Sequence, residues 1–197
     1  LIAIDGYIFQ KKLYILAVSD KIKDRYSMAL DKVLMIRAFN QENDERYYEF
    51  ASQLVNGFNL DNSFFHIEAI ETDNGIYLVE WSGRGCGSGI ASRVFNNMSE
   101  YDVVGFRIQM LVKSVPQEIS LIQDRTAIVI FPNQLELEKL QQESARMNSM
   151  YLESFVYNST SFDEDDLGSA KTRYGFFCIV LQGNKNQEVE ALMSCLE

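Results

Sequence analysis

The amino-acid sequence predicts an α+β fold, an antiparallel sheet with flanking helices followed by a small α+β C-terminal subdomain. Two hairpin signatures occupy the first half of the chain, and stretches of helical periodicity lie between and after them. The composition can build a core, with 47% hydrophobic and 23% charged residues over 197 positions. After Pro116 the pattern changes, and the expected division is 1–115 and 116–197.

The chain opens on Leu1 in the alternating run LIAIDGYIF. That run reads as a strand already under way and as part of something longer, without the basic flank of a signal peptide. It turns at Gln10, Lys11 and Lys12 and resumes as LYILAVS. Residues 20–40 carry no clear pattern. From Glu42 to Asn56, Tyr47, Phe50, Ala51 and Leu54 recur at three- and four-residue spacing, and Gly57 is the expected stop. FFHIEAIET and IYLVEWS, separated by Asp73-Asn74-Gly75, form the clearest hairpin. A glycine-rich stretch from Gly83 to Gly89 follows it. Residues 90–98 and 100–113 read as helices, the second with Val103, Phe106, Met110 and Leu111 as its packing stripe. Strands are expected at TAIVIFP, 151–157 and 173–182, with a polar helix at 134–149 and a short one from Asn186. The acidic SFDEDDLGSA reads as a solvated loop.

Composition also excludes classes of function. Lys and Arg number 18 against 28 Asp and Glu, a net charge of −10, with no basic cluster, which disfavours a nucleic-acid partner. No apolar run approaches the roughly 20 residues that span a bilayer. Cys86, Cys178 and Cys195 are odd in number and widely spaced, so neither a disulfide framework nor a zinc site is expected, and a cytoplasmic setting fits.

The second hairpin carries the chemistry. Side chains alternate faces along a strand, so His66, Glu68 and Ile70 share one face, and Leu78, Glu80 and Ser82 share one face of the next. A three-residue loop with Gly75 in the left-handed position pairs Ile70 with Leu78, Glu68 with Glu80, and His66 with Ser82. It also leaves Trp81 and Tyr77 on the core side. Two carboxylates then stand opposite each other with Cβ atoms about 5 Å apart, which requires a shared proton, a nearby Arg or a bound cation. An oxygen-only pair suits Mg²⁺. Arg84, two residues beyond Ser82, and the glycines of GRGCGSG suit phosphate oxygens, so the ligand expected is a magnesium-bound polyphosphate.

In FHIEAIETDNGIYLVEWSGRGCGSGI the sequence resembles the ATP-grasp ligases, whose C-terminal half carries a strand ending in Glu, a hairpin, and a strand reading Glu-x-Asn-x-Arg or Glu-x-Ala-x-Arg before glycines. IDGYIFQKKLYILAVSDK resembles the strand pair before that hairpin. TRYGFFCIVLQGNKNQEVEALM resembles the closing segment of the amino-acid-ligase and carboxylase-like branches. The resemblance implies an ATP-grasp C-terminal subdomain and a carboxylate–amine ligase of the carbamoyl-phosphate-synthase-like or L-amino-acid-ligase-like kind. It implies Glu68, Glu80 and Ser82 as metal ligands, Arg84 as the phosphate-contacting and catalytic arginine, and Lys21 as a further nucleotide contact. The implied cofactors are ATP and Mg²⁺, with Mn²⁺ as a substitute, and the partners a small carboxylate and an amine. It also implies a need for the N-terminal half of the ATP-grasp domain, which holds the adenine and the phosphates from the other side. Ser82 departs from the pattern, where Asn is usual. A degenerate module that binds nucleotide or a partner without catalysis is therefore an alternative, as is a structural domain whose acidic hairpin has no ligand. His66 reads either as a ligand contact or as a hydrogen-bonded structural residue, and Arg93 either as facing the pocket or as a surface ion pair. Cys86 has no evident catalytic partner and reads as a bystander.

Overall fold

Eight strands and five α-helices are formed among the residues described by a computed structural model: 1–25, 27–87, 89–112, 118–156, 175–183 and 185–196, with backbone alone for 27–30. Hydrogen-bonded neighbours follow the order β5-β4-β1-β2-β3-β6-β8-β7. The residues pack into two units, Leu1–Asp20 with Ile36–Arg125, and Lys21–Met35 with the segment from Thr126 onward. The expected division between 115 and 116 lies outside the described residues.

In the first unit, β1 (Ile2–Phe9) pairs antiparallel with β2 (Lys12–Asp24) on one side and with β4 (Ser63–Thr72) on the other. Ile2, Ile4 and Ile8 of β1 and Phe65, Ile67 and Ala69 of β4 pack into one core with Tyr47, Ala51 and Val55 of α1 (Gln41–Phe58). The helix begins where Asn40 accepts a hydrogen bond from the Glu42 amide, which satisfies one of the unpaired N–H groups of the first turn. It runs through Gly57, the expected stop. Asn59 takes the left-handed cap instead, at φ 50°.

The segment expected as a helix over 90–98 opens as a π-helical turn, Ala91–Phe95, continued by α2 (Asn96–Met98). Helix α3 (Val103–Leu111) starts at Asp102, whose carboxylate accepts from the amides of Val104 and Gly105. Val103, Phe106 and Met110 are buried as expected, but Leu111 is 70% exposed and is not part of the packing stripe.

Residues 20–40, unread in the sequence, hold the end of β2 and all of β3 (Ser27–Ala38). In the second unit, Val33 packs with Ile128 and Ile130 of β6 (Arg125–Ile130), Phe177, Ile179 and Leu181 of β8 (Gly175–Gln182), and Leu192 of α5 (Asn186–Ser194). Helix α4 (Gln134–Ser144) begins in a reciprocal Asn133–Glu136 capping box and stops five residues before the expected 149. The edge strand β7 (Tyr151–Val156) pairs antiparallel with β8. SFDEDDLGSA lies outside the described residues. No helix among the described residues is long and apolar enough to cross a membrane.

Gly6 is fixed by packing rather than by dihedral angle. The ladder between β1 and β2 shifts register between Asp5 and Gly6, and a Cβ on Gly6 would stand 2.2 Å from the Tyr14 carbonyl oxygen and 2.7 Å from the Phe65 ring. Neither a backbone carbonyl nor a core aromatic can move aside without disturbing the ladder. Gly6→Ala is expected to cost about 1–3 kcal/mol, the usual range for overpacking. Urea unfolding should show a lower midpoint at unchanged slope, and an unaltered midpoint would refute the packing argument.

Candidate functional site on the β1–β4–β5 face

Strand β5 (Gly75–Ser82) completes the hairpin with β4. Glu68 stands opposite Glu80, and His66 opposite Ser82, as the facing argument requires. The turn that achieves this is not the expected one. Thr72 pairs with Gly75 across the two-residue loop Asp73-Asn74, one residue tighter than the three-residue loop, and the ladder then shifts between Glu68 and Ala69 so that Val79 is the extra residue. The tighter turn and the bulge cancel, leaving the carboxylate pair in register. Between them the facing is changed, because Ile70 meets Tyr77 rather than Leu78. Tyr77, expected in the core, is 54% exposed. Trp81 does reach the core side and stacks on Phe65 and Phe58, with ring centroids 5.7 and 5.5 Å away.

Across β1, β4 and β5 the site face forms successive rows. Tyr7 pairs with Phe64, and Phe106 of α3 packs edge-on against both rings. Next come Asp5, His66 and Ser82, and then Ala3, Glu68 and Glu80. Asp5 is buried and accepts a 2.8 Å hydrogen bond from His66 Nδ1, while His66 Nε2 lies 3.4 Å from Glu68 Oε1. Burial by itself would lower the imidazole pKa. The charge and hydrogen bond of Asp5, together with Glu68, more than offset it and raise the pKa from 6.5 to about 9. His66 therefore carries a positive charge at neutral pH and offsets part of the carboxylate repulsion. The sequence left its role open because Asp5 is sixty-one positions away and only the β1–β4 register joins them.

The glycine loop places Cys86 against the same Asp5. Burial and the Asp5 charge push its thiol well above the ordinary value, so it stays protonated and is a poor nucleophile. Arg84 is exposed, and its guanidinium donates to the Gly85 carbonyl at 2.9 Å. Arg93 lies with its side chain against Gly89, which has φ 69°. Lys21 belongs to the other unit, where it is buried with its Nζ 2.8 Å from Asp31 Oδ2; Lys23 binds the second oxygen of the same carboxylate. Glu68, Glu80, Ser82 and His66 are thus brought together, while Arg84 and Lys21 are held by other partners.

The donor set decides what this face can hold. Among the described residues no three His, Cys, Asp or Glu side chains converge as a metal cage. Two facing carboxylates and a hydroxyl nonetheless fit a hard cation that brings most of its ligands with it. Magnesium typically takes one or two carboxylates and completes its octahedron with phosphate oxygens and water.

No family model matches the sequence, and no curated protein matches it. Solved structures do match in fold. An L-amino acid ligase from Bacillus licheniformis superposes with a TM-score of 0.72 at 17% identity, over 99% of this chain and 51% of that one. An ADP complex of N5-carboxyaminoimidazole ribonucleotide synthetase gives 0.66 at 14% identity, over 98% and 48%. Carboxyaminoimidazole ribonucleotide synthase from Aspergillus clavatus, complexed with ATP, gives 0.64 at 13% identity, over 99% and 50%. The chain shares its fold with about half of each of these structures, which are ATP-grasp ligases, and it spans about half the length of the structures it matches.

His66 is the chain's only histidine, so its imidazole NMR signals need no assignment by mutation. They should titrate with a midpoint near 9 rather than 6.5, and Asp5→Asn should lower that midpoint. Because the folded-state pKa is the higher, the stabilisation is complete below about 6.5 and is lost as pH rises through about 9. A midpoint near 6.5 would show that the Asp5–His66 pair does not form.

Proposed function

We propose that this chain is the C-terminal half of an ATP-dependent ligase that activates a small carboxylate as an acyl phosphate and joins it to an amine. The facing of Glu68 and Glu80 on a sheet of ATP-grasp fold is the observation that carries the reading. Opposed carboxylates repel each other, and a divalent cation with its phosphates is a ligand that such a pair suits.

Glu68 and Glu80 would hold Mg²⁺, or Mn²⁺ in its place, and Ser82 supplies a neutral oxygen at the end of the same strand. The ion when bound supplies positive charge at the β- and γ-phosphates. Arg84 sits where the strand passes into the glycine loop. Exchanging its Gly85 carbonyl for a phosphate oxygen would set a guanidinium against the charge that develops during transfer. Lys21 would serve the nucleotide only by exchanging Asp31 for phosphate, a swap between two anionic partners. No side-chain nucleophile is required, which agrees with a protonated Cys86. The carboxylate oxygen attacks the γ-phosphorus, ADP leaves, and the amine then displaces phosphate from the acyl carbon.

The adenine site and the opposing phosphate ligands would come from an N-terminal half joined to this one, and a cytoplasmic setting supplies the ATP. A second reading is a nucleotide-binding module without turnover. Ser82 favours it, being a shorter and weaker ligand than the Asn usual at that position.

Joined to that N-terminal half, the protein should bind magnesium-ATP and release phosphate in the presence of an amino acid or small acid and an amine. Glu80→Gln should reduce the rate about 100-fold or more, the scale on which a transition-state electrostatic contact acts. ATP binding without phosphate release under any nucleophile would favour the binding module. No effect of Glu80→Gln on either would defeat both readings.

A further inference from the structure

We infer that Asp5 and His66 are positioning residues for Glu68, an inference that rests on the reading of Glu68 as a metal ligand. A partly solvated carboxylate on the face of a sheet rotates about its side-chain torsions, and a ligand that wanders holds a cation weakly. Metal-ligating carboxylates are commonly fixed by a hydrogen bond from a neighbour that never touches the metal. Here the neighbour is His66, whose Nε2 lies 3.4 Å from Glu68 Oε1.

His66 can do this only if its own ring is fixed. Asp5 fixes it through a 2.8 Å bond to Nδ1, from a side chain that is 5% exposed and set in the middle of β1. Asp5 and His66 are direct cross-strand neighbours, and Glu68 follows two residues on along the same face of β4. The ring is thus held at one nitrogen by the sheet interior and offers the other to Glu68. The imidazole restrains the Glu68 carboxylate on the strand position that pairs with Glu80. Ala3 is the β1 residue opposite Glu68.

The alternative role for the pair is purely structural, with His66 neutralising a buried Asp5 and Glu68 indifferent to both. The two differ in what they predict for cation affinity. As a mere positive charge His66 would repel an incoming cation, so its removal would tighten binding. As a positioning residue its removal would weaken binding.

Mn²⁺ alone, followed by the loss of its free-ion EPR signal, measures this without turnover. His66→Ala should weaken Mn²⁺ binding about ten-fold or more, the cost typical of losing an outer partner of a metal ligand. His66→Gln, whose amide can still donate toward Glu68, should recover most of the loss. Asp5→Ala should behave like His66→Ala, and Asp5→Asn, which keeps an accepting oxygen, should stay near the unmodified protein. Circular dichroism identifies any variant that does not fold, in which case the Gln and Asn variants decide. Unchanged or tighter Mn²⁺ binding in folded His66→Ala, or equal loss in the Ala and Gln variants, would overturn the positioning role. Glu80→Gln separates the two levels. If it abolishes Mn²⁺ binding while His66→Ala leaves it intact, only the positioning role fails. If Mn²⁺ does not bind, or binds regardless of Glu80, the metal site itself fails and the positioning role with it.

Discussion

Asp5 is a carboxylate withdrawn from water in the middle of a strand that is buried along nearly its whole length, and burying such a charge is tolerable only when it is paired. His66 is the partner, delivered by the antiparallel register of β1 and β4. That pairing constrains much of what surrounds it. It keeps the imidazole protonated and sets a positive charge beside Glu68, while burial and the charge of Asp5 keep the Cys86 thiol neutral. Breaking the pair by removing one partner would leave an uncompensated buried charge, a change that usually costs about 3–5 kcal/mol.

The hairpin shows how a sequence argument can reach the right contact by a wrong turn. Segregation of polar from apolar side chains required Glu68 to face Glu80, and it does. The loop inferred from that facing was one residue too long, because alternation alone has no means of registering a bulge. The ladder shift before Ala69 restores the register that the tighter Asp73-Asn74 turn had displaced. The tighter turn also brings Tyr77 beside Ile70, on the exposed side. Bulges leave weak marks in sequence when, as at Val79, the extra residue is a good strand former.

Other misreadings have equally local causes. Gly57 looked like a helix stop because glycine is the commonest left-handed cap, yet asparagine also tolerates that conformation, and Asn59 takes it. Strand β3 was hidden because its charged residues pair with other elements: Asp31 with Lys21 and Lys23, Lys32 with Glu136, and Arg37 with Asp44. A strand whose charges are satisfied by residues of other elements shows no amphipathic period. Asp5 belongs to the same class, since a lone acid in an apolar run gives no sign of which residue will meet it. The short-range chemistry of the hairpin was legible, whereas partners set by tertiary register were not.

On the proposed reading, two features of the face suit a cation carried by phosphate: the opposed carboxylates, and an imidazole 3.4 Å from one of them. Everything proposed about ATP follows from whether a divalent ion settles between Glu68 and Glu80. Crystals of the protein joined to the proposed N-terminal half, grown with Mn²⁺ and a non-hydrolysable ATP analogue, would answer this through manganese anomalous scattering. The account predicts an anomalous peak within coordination distance of both carboxylates and of the analogue's phosphates. A peak bound by phosphates alone, or by other side chains while Glu68 and Glu80 remain unligated, would contradict it.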